Sequence, residues 1–517
     1  MAAPSGLKKT LGMADVYAIS TGAMFSSGFF LLPGIAAIES GSSVPLAYLL
    51  AGVLILPAMF SVAELSTAMP RAGGAYYFLD RSMGPLMGTI GGLGTWLALV
   101  LKSAFALLGM GAYLMLFMDV PIKAVAIGLT VLFAAMNIMG AKETSGLQRV
   151  LVFSLVGILV LYLVQGVAWV LGHDPVALVS SHHENFLENG IDGLFETVGI
   201  VFVSFAGLTK VASVAEEIRD PDRNIPWGMA LSLATATVVY VVGVALMTVV
   251  LEPEVFHASL TPVAAAGELI FTWIPKELGV GLVVVAAAAA FASTGNAGVL
   301  ASSRYPMAMA RDRLLPSVFA GVSPRFGTPV LGVVVTAVMM IVLILAFDIT
   351  AVAKLASAFQ LLLFGLINLA LIVMRESRIE YYQPGYRSPL YPWVQLVGMV
   401  VPVWLIVEMG WLAVLFTAGV VAACVAWYFA YARSRVVRGG AVYHVFERLG
   451  RRVYRGLDDE LRGIVAERGL EEDDLLEGLI VDAAVVDLTG PATFSAVVAQ
   501  VCGRLCPGGT GAAEALQ

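Results

Sequence analysis

The sequence predicts an all-α polytopic membrane protein of about twelve transmembrane helices, on three observations. Hydrophobic residues make up 59% of the 517-residue chain and charged residues only 13%, more apolar surface than a soluble globule can bury. Apolar runs recur twelve times, near 12–38, 44–69, 86–117, 121–140, 147–172, 190–217, 226–251, 278–303, 328–347, 351–374, 391–409 and 411–432. Each is close to or above the roughly 20 residues that cross a bilayer, and in hydrocarbon, where the backbone must bond to itself, such runs are helices. Finally, Lys8, Lys9, Arg71, Arg81, Lys142, Arg149, Arg219, Arg223, Arg304, Arg311, Arg313, Arg325, Arg375, Arg378 and Arg433 fall on one side of that membrane, against mainly Lys123 and Lys276 on the other. The asymmetry puts both termini in the cytoplasm, in a plasma or inner membrane, and supports an even number of spans.

The chain divides at about residue 432. Residues 1–432 read as the membrane domain, and the first span is expected to direct insertion itself, since no small-residue cleavage site precedes it. Residues 433–517 carry much of the acid behind the formal charge of −7 and read as a cytoplasmic, mixed α/β, regulatory tail. Its basic start, from Arg433 to Arg455, suits an amphipathic helix on anionic lipid. Beyond it, Leu479 to Leu488 reads as a strand and Phe494 to Leu505 as a helix. Cys424, Cys502 and Cys506 are too few for a disulfide framework.

Two spans read as interrupted. In the first, Gly22, Ser26, Ser27 and Gly28 cluster near mid-membrane, and in the sixth Ser204, Ala206 and Gly207 do the same. Such residues weaken a helix, but they also let membrane helices approach closely, so packing is the competing explanation. Five helices separate the two interruptions, the spacing of an inverted repeat with a binding site at its interface. Two lysines, Lys102 in the third span and Lys210 just after the interruption in the sixth, sit where an ammonium costs at least about 2.5–3.5 kcal/mol. Desolvation favours the neutral amine, so each is a candidate to gain and lose a proton or to neutralise an anion. Alternatively Lys102 pairs with a carbonyl at a helix end, and Lys210 snorkels to the surface.

No phosphate loop, nucleophile triad or zinc spacing occurs in the spans. No enzyme, cofactor, metal centre or nucleic-acid partner is expected, and His182-His183-Glu184 in a polar loop reads as solvated.

Four stretches resemble one family. STGAMFSSGFFLLPG in the first span, VAELSTAMPRAGGAYYFLDRSMGP after the second, AEEIRDPDRNIPWG after the sixth and ASSRYPMAMARDRLLP with FGTP downstream after the eighth are similar to the corresponding motifs of the amino acid–polyamine–organocation permeases. The resemblance covers about residues 12–432. It implies a leucine-transporter-like fold of two inverted five-helix repeats plus two trailing helices, with helices 1 and 6 discontinuous, working by alternating access. It further implies that Met24 and the amides of Ser26, Ser27 and Gly28 face a substrate carboxylate; Lys102, singled out above as a buried cation, is a candidate for the same site. By the same resemblance, the unwound Ser204, Phe205, Ala206 and Gly207 offer carbonyls and Phe205 a lid. A sodium site would use carbonyls of Gly22 and Phe25 with hydroxyls of Ser293 and Thr294; for proton coupling Lys210 is the further candidate.

Ser26 departs from the family's glycine, and Thr209 stands where many relatives carry an acid, which disfavours arginine or a polyamine. The expected function is secondary active transport of a small amino acid or related organic solute, with H+ or Na+ as the co-transported ion. An ion or inorganic-anion carrier on the same fold, or a solute sensor signalling through the tail, are the alternatives. The partners are the solute and the lipid bilayer; oligomeric state is left open.

Overall fold

A computed structural model of the chain describes residues 9–71, 73–140, 145–174, 178, 186–257, 259–436, 439–447, 461 and 463–464. Among these the chain is helical, with no strand beyond one isolated bridge between Leu11 and Ile218. The first apolar segment is α1 (Met13–Met24), α2 (Ser27–Phe30) and α3 (Leu32–Ser40); the second is α4 (Val44–Leu54) and α5 (Leu56–Ala68). A connecting helix, α6 (Gly74–Met83), leads to α7 (Pro85–Leu114), α8 (Ile122–Ile138) and α9 (Ser145–Gly172). The sixth segment is α10 (Gly190–Val201), a 3-10 turn (Phe202–Phe205) and α11 (Leu208–Ser213). After α12 (Pro221–Val250) come the short α13 (Pro253–Phe256) and α14 (Pro262–Ile270), then α15 (Lys276–Arg311), α16 (Val330–Ala346), α17 (Ile349–Ser377), α18 (Trp393–Glu408), α19 (Trp411–Trp427) and α20 (Val442–Glu447).

All twelve expected segments are therefore helical. Eight helical runs are long and apolar enough to cross a membrane, and α8, α16 and α18 are shorter apolar helices of 10–17 residues. The chain is a polytopic all-α integral membrane protein.

Punctuation in the sequence sets the boundaries. Proline occupies the first turn of α3, α4, α5, α7 and α12, where its missing N–H costs nothing. Gly84 separates α6 from α7 at φ 88°, a left-handed conformation that a side chain would strain. Asp348 caps α17 by accepting from the Ala351 amide at 2.6 Å, a contact worth roughly 1 kcal/mol.

The core forms around α7, which packs along α15 and α17 and is the most buried of the long spans. One polar lock ties α5 to α17 and the loop after it. Glu64 is fully buried and accepts from Arg375 Nε (2.7 Å) and Nη2, the Ser388 amide (2.6 Å) and the Tyr382 hydroxyl (3.2 Å). Arg375 is the basic partner that neutralises this buried carboxylate.

Residues up to Leu461 group into one compact unit. Ala441 donates its amide to Arg81 O at 2.9 Å, and α20 packs against α17. The expected strand from Leu479, the helix from Phe494, Cys502, Cys506 and the His182-His183-Glu184 cluster lie outside the described residues.

Candidate functional site

α1 gives way where its sequence turns to small, cap-forming residues. Phe25 (φ −73°, ψ 88°) and Ser26 (φ −150°, ψ −125°) leave the helix, and the chain restarts at Ser27. Ser26 ends one half and opens the other. Its amide donates to Met24 O at 2.9 Å and its carbonyl accepts from the Phe29 and Phe30 amides, both at 3.1 Å. The amides of Ser27 and Gly28 have no preceding turn to bond to. The Ser26 hydroxyl is buried without a partner.

On the other side of the break, the last carbonyls of α1 are met by side chains. Lys102 Nζ, buried in the middle of α7, donates to Ala23 O at 2.8 Å, and the Tyr240 hydroxyl of α12 donates to Met24 O at 2.8 Å. A cation at the carbonyl end of a helix is favoured by its dipole.

The second interruption is a tightening rather than an open loop. Phe202–Phe205 winds as a 3-10 helix, Ala206 and Gly207 follow with helical dihedrals, and α11 resumes at Leu208. Side chains hold it from several directions. The Val203 amide donates to the Ser357 hydroxyl (3.1 Å), which donates to Ile200 O. The Tyr240 hydroxyl also comes within 3.2 Å of Ser204 O, and Ala206 O accepts from Thr209 (3.0 Å). The expected unwinding at Ser204–Gly207 is here a 3-10 turn, in which Ala206 O already accepts one hydroxyl, though a carbonyl has a second lone pair.

The two interruptions touch. A Cβ added at Gly28 would lie 2.6 Å from Ser204 Cβ, and one at Gly207 would lie 2.5 Å from Ser20 O. Tyr240 lies within hydrogen-bond reach of both Met24 O and Ser204 O, and its ring meets Phe25 (5.5 Å), Phe205 (5.2 Å), Tyr48 (5.2 Å) and Phe29 (6.1 Å). Tyr48 donates to Gly28 O at 2.6 Å. All these rings are buried, so the site is closed on itself.

Of the residues expected from the sequence, Met24, Ser26, Ser27, Gly28, Ser204, Phe205, Ala206 and Gly207 gather here, and Lys102 joins them through Ala23. Lys210 lies on α11, just past the second interruption. The candidate cation ligands divide. Gly22 and Ser293 line a cavity of about 150 Å³ between α1, α9 and α15, otherwise mostly apolar. Thr294 does not line it, being about 100° further round the helix; its hydroxyl is buried and unpartnered.

Sequence reasoning missed Tyr48, Tyr240 and Ser357, since one hydroxyl in a long apolar helix looks the same whether it meets lipid headgroups or a neighbour's carbonyl. It also missed Lys354 of α17, which donates to Glu196 of α10 (2.6 Å) and Glu39 of α3 (3.1 Å) and so ties the second half of the first interrupted segment to the first half of the other. The signal was present as three charges inside apolar runs.

Two interrupted helices closed face to face in a bundle of membrane spans define the class as a polytopic membrane transporter. The chain belongs to the amino acid permease family, whose model matches residues 11–443. It is similar to a branched-chain amino acid permease of Bacillus subtilis, 25% identical over 442 residues that cover 80% of this chain and 91% of that protein. It is also similar to a methylthioribose transporter of the same organism, 25% identical over 421 residues covering 77% and 88%. A vacuolar cationic amino acid transporter of Arabidopsis thaliana is 28% identical over 405 residues covering 74% of this chain and 61% of its own. The protein is accordingly a permease and not an enzyme, with a small-molecule substrate and the bilayer as its partners.

Proposed function

We propose that the protein is a secondary active transporter of a small neutral or zwitterionic amino acid, or a related organic solute, working by alternating access with both termini cytoplasmic. One observation carries the reading. At Phe25–Ser26 the helix opens inside a buried site, leaving the first amides of α2 and an unpartnered Ser26 hydroxyl directed by no other protein group. A substrate carboxylate is the natural acceptor for such donors. An ammonium is served by the free lone pairs of Ser204, Phe205 and Ala206, and Phe205, packed on Tyr240, lids the site. The amino acid permeases among the relatives support this substrate class.

Lys102 and Lys210 beside the site disfavour a dicationic solute, despite the cationic amino acid transporter among the relatives. Because Lys102 is committed to Ala23 O, it belongs to the scaffold of the break. An organic solute therefore fits better than an inorganic anion, which would need that ammonium for itself.

For coupling, the same amine supplies positive charge at the carbonyl end of α1 only while it is protonated, so a proton gained and lost at Lys102 serves where a dissolved cation otherwise would. The Gly22 and Ser293 cavity is apolar in most of its lining, a poor match for a hard cation that wants several oxygens. Residues 433–517 are assigned a regulatory role.

Uptake of labelled alanine, leucine and arginine into proteoliposomes tests the reading. Alanine or leucine should accumulate under an inward proton gradient with choline in place of sodium. Binding without accumulation would point to a sensor, and accumulation of arginine alone would overturn the substrate class.

A further inference from the structure

The cavity that reaches Gly22 has a lateral mouth. Its α15 wall is built from Val285, Ala286, Ala289, Ala290 and Ser293, one face of the helix at i, i+4 and i+8 that crosses the alanine run 286–290. Methyl side chains leave space beside the neighbouring helix. The α9 wall is Leu151, Val152, Ser154, Leu155 and Ile158, about 10 Å along the axis at 1.5 Å per residue. At its floor lies Gly22 of α1, against which Val152 already packs: a Cβ there would be 2.6 Å from Val152 Cγ2.

The rim is exposed. Val285 is 65% exposed and Leu151 39%, and Ser154 and Ala289 are exposed with them. Beyond the rim the outward faces of both helices continue apolar, with Val150, Phe153 and Val160 on α9. In an integral membrane protein this surface is bathed in hydrocarbon, so the cavity opens onto acyl chains and is too apolar to hold water in their place. The half-exposed Arg149 heads the groove, paired through Nε with Asp15 at 2.9 Å.

We infer that this groove between α9 and α15 is an intramembrane lipid site that seats one acyl chain of a phospholipid against Gly22, with the headgroup at the level of Arg149. The lodged chain lies three residues from the Phe25–Ser26 break and fills the space into which α1 would otherwise lean. The site follows from cavity shape and the apolar rim alone, and stands whether or not the transported solute is an amino acid.

The test is photo-crosslinking of the full chain in phosphatidylcholine liposomes containing the same lipid with a diazirine midway along one acyl chain, mapped by peptide mass spectrometry. Labelling should concentrate several-fold on residues 151–158 and 285–293 over other lipid-facing surfaces, such as Val338 and Val342 of α16 or Val400 and Val403 of α18. Ala289→Phe, which plugs the mouth from an exposed position, should abolish the excess while leaving the thermal unfolding midpoint unchanged. Should that variant fail to fold, Val285→Trp at the rim serves the same purpose. Equal labelling of all lipid-facing helices, or an excess that survives the plug, would overturn the assignment.

Discussion

Lys102 decides how the first helix is held. Its bond to Ala23 O is charge-assisted and buried, the kind that contributes roughly 1.5–3 kcal/mol. Lys102→Met should therefore lower uptake on the order of tenfold or more. Lys102→Arg retains a cation that does not titrate, so it should keep measurable uptake and lose the dependence on the proton gradient. A gradient dependence unchanged in Lys102→Arg would remove Lys102 from the coupling. Glu64 and Arg375 make a second residue-scale case. Arg375→Met leaves a buried carboxylate uncompensated, which costs about 3–5 kcal/mol and should appear as a marked fall in the midpoint of thermal unfolding. At this scale the sequence was readable where a residue is costly in its setting: Lys102 stood out as a charge amid apolar residues. Tyr48 and Tyr240 did not, because a tyrosine in an apolar run carries no mark of which carbonyl its hydroxyl will find.

The two interrupted helices differ as elements, and composition accounts for the difference. Ser26, Ser27 and Gly28 follow one another directly, and α1 opens over two residues. In the sixth segment Phe205 stands between Ser204 and Ala206, aromatic packing on Tyr240 and the Ser357 hydroxyl hold the chain, and the helix only tightens to 3-10. The positions of both interruptions were legible from small residues; the degree of opening was not, since it depends on contacts from α12 and α17 far away in the chain. The start of the tail shows the same limit. Arg and Val around Gly440 suggested a surface helix, yet the backbone of Gly440 lies against Gly84, where an added Cβ would be 2.4 Å from the Gly84 amide nitrogen. Gly440→Val should lift this segment from α6 and α7, seen as faster proteolysis between residues 433 and 447 with the spans intact. An unchanged digestion pattern would show that the contact does not hold the tail.

For the whole molecule, hydrophobic period and loop charge were enough to fix the number of apolar helices, because a bilayer permits little else. Closure was beyond their reach: that the interruptions would meet, through Gly28 on Ser204 and Gly207 on Ser20, depends on how distant helices pack. The same closure makes the account vulnerable at a single atom. Gly28→Ala places a methyl 2.6 Å from Ser204 Cβ and pushes the two breaks apart at the proposed solute site. Proteoliposome uptake of labelled leucine and alanine by wild type and Gly28→Ala, both checked for equal insertion and folding, measures this directly. The wild type should accumulate at least one of these amino acids, and the variant should lose that uptake; equal uptake by both proteins would contradict transport through the broken-helix site.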